Sequence, residues 1–170
     1  MGFDIYGLSP KINSNIDKTT VYGSIKAIPE FSDRLKMLEK LSDTDRDKYW
    51  KEHDSYEADN PGIYFRNNVW YWRPLWHYIT ITCNDFLSEK DLSSGTYNDG
   101  YKISKTKAMA IARRLDKNIK SGHAKSYRDM HEAERSKMGK KDPMSSYPFD
   151  LDNVKRFSRF CRESGGFKIW

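Results

Sequence analysis

Apolar positions recur along this chain with a period that changes from segment to segment. At the start Phe3, Ile5 and Tyr6 lead to Gly7 and Pro10, a short run that predicts an opening strand over Phe3 to Gly7. At the end Phe167-Lys168-Ile169-Trp170 alternates in the manner of an edge strand, after Gly165-Gly166 has stopped a helix. The clearest helical period lies between them. Ser104 caps a run in which Ala108, Ile111, Ala112, Leu115 and Ile119 form one stripe, and Gly122 closes it. Asp150 caps another in which Leu151, Val154, Phe157 and Cys161 share a face. Ser32 reads as the cap of a shorter helix through Leu35, Leu38 and Leu41, and Ser42 or Asp43 as the cap of the next, to about Tyr56.

Weaker patterns fill the rest. Val21 to Ile25 reads as a second short strand, and residues 123–137 as a polar, exposed helix with few apolar anchors. Asn60-Pro61-Gly62 is a break, Ser94-Gly95 and Asn98-Asp99-Gly100 are turn chemistry, and Gly139 to Ser146 is a loop containing Pro143. Asn67 or Asn68 is placed to cap a turn. Pro74 suits the first turn of a helix, where its missing N–H costs nothing, so a helix is expected from about Pro74 to Asn84, with Ile79 to Thr82 as a strand in the alternative. The sum is one α+β domain, predominantly helical, with a small sheet formed by the chain termini.

The 170 residues suit one domain, and 14% aromatic residues supply a core that the 37% hydrophobic fraction alone would make thin. Two isolated cysteines, Cys83 and Cys161, do not make a disulfide framework and are expected as free thiols, as in a reducing cytosol. The N-terminus has neither the basic region nor the apolar run of a signal peptide. Gly2 invites myristoylation, but Tyr6 stands where that motif wants Ser or Thr. No stretch approaches a membrane span, so no membrane partner is expected. The net charge of +6 is uneven: residues 1–100 carry 12 Lys and Arg against 16 Asp and Glu, and residues 101–170 carry 18 against 8. Two readings stay open, an anionic partner for the basic half or an acidic half packed on a basic one.

Tests for catalytic and metal chemistry return little. No CxxC or HExxH is present; His53-Asp54 with Glu57 and His131-Glu132 with Glu134 read as solvated faces, and no metal or cofactor is expected. Neither a phosphate-cradling glycine loop nor a GxSxG elbow occurs, and neither cysteine has an adjacent histidine. What remains is aromatic and cationic. Arg66, Asn67, Trp70, Trp72 and Arg73 stand among Phe65, Tyr71 and Trp76. Rings stack bases, and Arg both stacks and holds phosphate bidentately. The plainer alternative makes most of these rings core, with Arg73 snorkelling past them. Arg159 and Arg162, with Lys155 on the same helical face, are candidate phosphate contacts, or simply solvated surface.

The opening Met1-Gly2-Phe3-Asp4-Ile5-Tyr6-Gly7, the central stretch from Tyr64 to Leu75 and the closing Asn153 to Phe167 resemble a family of small, mostly uncharacterised proteins encoded by bacteriophages and by bacterial genomes carrying phage genes. The resemblance implies an accessory protein of the host cytoplasm that binds a host defence signal, a nucleic acid or a host enzyme. The resemblance implies an origin more than an activity; the first reading of the aromatic and cationic residues is non-enzymatic capture of a nucleotide or other phosphate-bearing ligand by Arg66, Asn67, Trp70, Trp72 and Arg73, with Arg159 and Arg162. The alternatives are DNA or RNA binding by the basic C-terminal half, inhibition of a host protein, and an enzyme with an unrecognised site.

Overall fold

The computed structural model describes residues 2–139 and 142–170. In chain order the elements are β1 (Gly2–Gly7), α1 (Val21–Lys26), α2 (Phe31–Glu39), α3 (Asp43–Asp59), β2 (Tyr64–Asn68), α4 (Val69–Thr82), α5 (Glu89–Ser94), β3 (Tyr101–Ile103), α6 (Lys105–Lys120), α7 (His123–Arg135), a 3₁₀ turn (Pro143–Ser146), α8 (Leu151–Glu163) and β4 (Phe167–Ile169). The length predicts one domain; the chain gathers into two compact units, residues 12–60 and the remainder.

The larger unit carries an antiparallel sheet in the order β2-β1-β4-β3. The terminal strands do pair, with Ile5 opposite Ile169 and Gly7 opposite Phe167. They form the middle of the sheet, so β4 is not the edge strand that its alternation suggests; β2 and β3 are the edges. Strand β2 was hidden by Asn67, a polar residue at an inward position. Its neighbour Phe65 points to the core as a strand residue should, and Asn67 is buried with its amide donating to Asn153 Oδ1 at 3.0 Å.

Phe3, Ile5, Phe65, Phe167 and Ile169 belong to one buried cluster with Trp72, Leu75, Trp76 and Ile79 of α4, Ile111 and Leu115 of α6, and Val154, Phe157 and Phe160 of α8. Each such side chain contributes about 1.5–3 kcal/mol on burial, so this cluster dominates the unit's stability. Ser104 and Asp150 cap α6 and α8 as their sequences predict. Helix α4 begins five residues before the expected Pro74, because Asn68 caps it and accepts from Tyr71 N–H at 3.1 Å. Pro74 is thus buried inside the helix, where it cannot donate to the carbonyl of Trp70. Of the expected loop from Gly139 to Ser146, residues 140 and 141 lie outside the described residues, and residues 143–146 make the 3₁₀ turn.

The smaller unit has its own small core of Tyr22, Ile25 and Tyr49, flanked by half-buried Leu38, Leu41 and Tyr56. Here Val21 to Ile25 is helical rather than extended. Thr20 caps it by accepting from Gly23 N–H at 3.0 Å, and a Cβ on Gly23 would meet the Asp17 carbonyl at 1.9 Å. Helix α2 begins at Phe31, with Ser32 inside its first turn instead of at the cap.

Candidate functional site

A helix turns about 100° per residue, so neighbours in the Trp-rich segment point to different surroundings. Trp72 and Trp76 face inward, stacked at 5.3 Å, with Phe3 on the other side of Trp72 at 5.2 Å. Trp72 is fully buried and therefore braces the core first. Trp70 stays 43% exposed and packs on Tyr147, and Arg73 is exposed beside it. Arg66 stands on the solvent side of β2, opposite Asp4, with Nε 3.7 Å from its carboxylate. Asn67 lies on the inner side, tied to Asn153. Arg159 has its Nε 3.8 Å from Glu163, and Arg162 is paired with Asp116 of α6. The seven residues singled out by sequence thus divide among the core, the outer sheet face, the outer side of α4 and the outer side of α8.

Trp72 and Arg73 remain together at one feature. A cleft of about 400 Å³ opens beside α4, lined by Trp72, Arg73, Trp76 and His77 and, across from them, by Gly95 and Tyr97. Its far wall is set by the indole N–H groups. Trp72 donates to the Gly95 carbonyl at 2.7 Å and Trp76 to the Leu92 carbonyl at 2.8 Å, so the end of α5 is hung from the tryptophans. The close approach requires Gly95, whose Cβ would stand 1.7 Å from Trp76 Cε2. Tyr97 is 62% exposed at the rim.

Arg73 donates to Tyr147 Oη at 2.9 Å, with its guanidinium carbon 5.6 Å from that ring's centroid. Among the described residues it has no carboxylate partner, unlike Arg114 with Asp85, Arg135 with Glu132 and Arg162 with Asp116. Its charge is held in place without being neutralised. The threonine hydroxyls in the cleft are committed: Thr80 donates to the His77 carbonyl at 2.7 Å and Thr96 to the Ser93 carbonyl at 2.6 Å. Sequence reasoning missed Gly95, Tyr97, His77 and Tyr147, which come from three separate segments and share no local pattern.

The buried Asp91 of α5 is structural. Burial alone would raise its carboxyl, but Lys107, the hydroxyl and N–H of Ser88 and the hydroxyl of Tyr101 outweigh it and hold the group at about 2. Cys83 and Cys161 are buried free thiols; burial pushes Cys83 up to about 11, far from the range of an activated nucleophile. In the smaller unit His53 lies 3.1 Å from Asp54 and 3.2 Å from Glu57, but no group of three or more potential metal ligands gathers among the described residues. No described helix is long and apolar enough to cross a membrane. A second cavity, of about 470 Å³, has its cations already spoken for, Arg128 by Asp129 at 2.7 Å and Lys155 by Asp152 at 2.8 Å.

Comparison of the chain with protein-family models, curated proteins and solved structures finds no match.

Proposed function

We propose that this is a non-enzymatic accessory protein of phage type, acting in the host cytoplasm, that captures a nucleotide or other phosphate-bearing ligand in the cleft beside α4. The observation that carries the reading is Arg73: a guanidinium braced by Tyr147, without a carboxylate, at the edge of an aromatic cleft. The cleft volume of about 400 Å³ falls in the range of small-molecule sites. An exposed Tyr97 offers a flat surface for a base, and the Arg73 fork offers paired donors for a phosphate. Capture rather than turnover fits the two threonine hydroxyls, which are bonded to backbone carbonyls and not poised beside a base. The charge-neutralised Arg159 and Arg162, and Arg66 on the sheet, fall outside this site.

Titration calorimetry of the purified chain with nucleoside mono-, di- and cyclic phosphates tests it. Stoichiometric binding is expected, weakened at least about tenfold by Arg73→Ala, since a charge-assisted bidentate contact is worth about 1.5–3 kcal/mol. Arg159→Ala is expected to bind as the parent does. Heat absent for every nucleotide, or binding unchanged in Arg73→Ala, rejects the reading.

A further inference from the structure

The sheet has a second face. Helices α4 and α8 pack on the inner one, which carries Phe3, Ile5, Phe65, Phe167 and Ile169. Strand alternation sends Asp4, Tyr6, Tyr64, Arg66, Lys102 and Lys168 to the other side. Trp170 joins them, because its backbone exchanges two hydrogen bonds with Asp4, at 2.7 and 2.8 Å. Tyr6 and Trp170 are each 46% exposed and the Arg66 side chain 72%, so this face meets solvent.

We propose that the outer sheet face binds a single-stranded nucleic acid, its unpaired bases stacking on Tyr6, Tyr64 and Trp170 and its phosphates held by Lys102 and Lys168. Three observations independent of the α4 cleft support this occupant. First, rings stand side by side on this face, Tyr6 exposed and Tyr64 half-buried: the two are directly opposite on neighbouring strands with centroids 5.1 Å apart. Gly100, at φ +87°, leaves room for Trp170; a Cβ there would stand 3.2 Å from its ring and 2.9 Å from Lys168 Cε. Second, the charge is wrong for a self-sufficient surface. Lys102 and Lys168 stand directly opposite on β3 and β4, a like-charge pair that costs stability until an anion lies between them. Lys168 meanwhile rests over Trp170, its Nζ 3.9 Å from the ring centroid, where a stacking base would displace it toward the backbone of the strand. Third, among the described side chains that alternation sends to this face the one carboxylate, Asp4, is already answered, by Arg66 at 3.7 Å and by the hydroxyl of Tyr64. Two rings opposite one another, a third in the adjoining row and lysines beside them suit an unpaired strand, whose bases are free to stack; a duplex hides those faces.

Fluorescence anisotropy of the full chain with labelled oligouridine and oligothymidine about twelve nucleotides long, and with a duplex of equal length, tests the proposal, the two strands telling RNA from DNA. Single-strand binding is expected, weakened about tenfold by Trp170→Ala and again by Tyr6→Ala, in line with the worth of one stacked base. The slope of log affinity against log salt should be near −1.4, roughly 0.7 for each of Lys102 and Lys168, since Arg66 is already paired with Asp4. Arg73→Ala, in the α4 cleft, should leave this binding unchanged. Lys102→Glu separates function from folding: it pairs with Lys168, so it should raise the melting temperature while lowering affinity. Duplex bound as tightly as single strand, binding indifferent to both ring substitutions, or no binding at all overturns the proposal.

Discussion

Asp91 is a carboxylate only 1% exposed, held by several donors at once. Its carboxylate accepts from Ser88 N–H at 2.8 Å, Ser88 Oγ at 2.6 Å, Lys107 Nζ at 2.5 Å and Tyr101 Oη at 3.1 Å, so one residue joins α5, β3 and α6. Removing a charge from such a set strands its donors. Asp91→Asn is expected to cost about 3 kcal/mol in chemical unfolding, the low end for a broken buried pair because Lys107 keeps 35% of its side chain in water. Its carboxyl titrates at about 2, below the ordinary 3.8, so the folded state favours the ionised form. That contribution is whole above pH 3.8 and is lost as pH falls through about 2. Unfolding measured from pH 5 downward should show the parent losing stability across this window and Asp91→Asn losing less of it.

At the scale of elements, the seat of α5 against α4 decides whether the cleft exists. Two indole N–H bonds draw the carbonyls of Leu92 and Gly95 onto the tryptophans, and a glycine is needed because Trp76 occupies the space of any Cβ. The backbone of Gly95 is ordinary, at φ −70°, so the demand is steric and not conformational. Gly95→Ala should therefore lower stability by about 2–3 kcal/mol, as overpacking does, read as a fall in the thermal midpoint. Because α5 would be pushed off its seat, nucleotide affinity should fall with it. Elements with internal periodicity need no such partner: the α6 stripe and the α8 face bury as their spacing predicts, each behind its own cap.

Across the whole molecule the charge follows the two units. Residues 12–60 hold 8 Lys and Arg against 11 Asp and Glu, leaving 22 against 13 for the remainder. Some of those 22 cations are answered locally, by Asp85, Asp91 and Asp116. Others are displayed, Arg73 at the cleft and Lys102 and Lys168 on the sheet. The units also differ in core. The smaller one closes around Tyr22, Ile25 and Tyr49, and its helix α2 buries no residue fully. A core of that size supports little stability. Amide hydrogen exchange should show residues 12–60 opening at a lower free energy than α4, α6 and α8, and equal protection in the two units would contradict this account.

The sequence by itself determined what local spacing can encode: the caps of α3, α6 and α8, the apolar faces of α6 and α8, and the strand character of the chain ends. These depend on residues within a few positions of one another, or on alternation that only a strand satisfies. Only the tertiary structure decided the rest. It made β2 a strand by giving Asn67 a distant amide partner, turned Val21 to Ile25 into a helix, and started α4 before its proline. It also separated Trp72 from Arg66 while joining Arg73 to Tyr147 and Gly95 to Trp76, contacts between segments far apart in the chain. A residue's role at such a place is set by what the fold brings against it, and no local period records that.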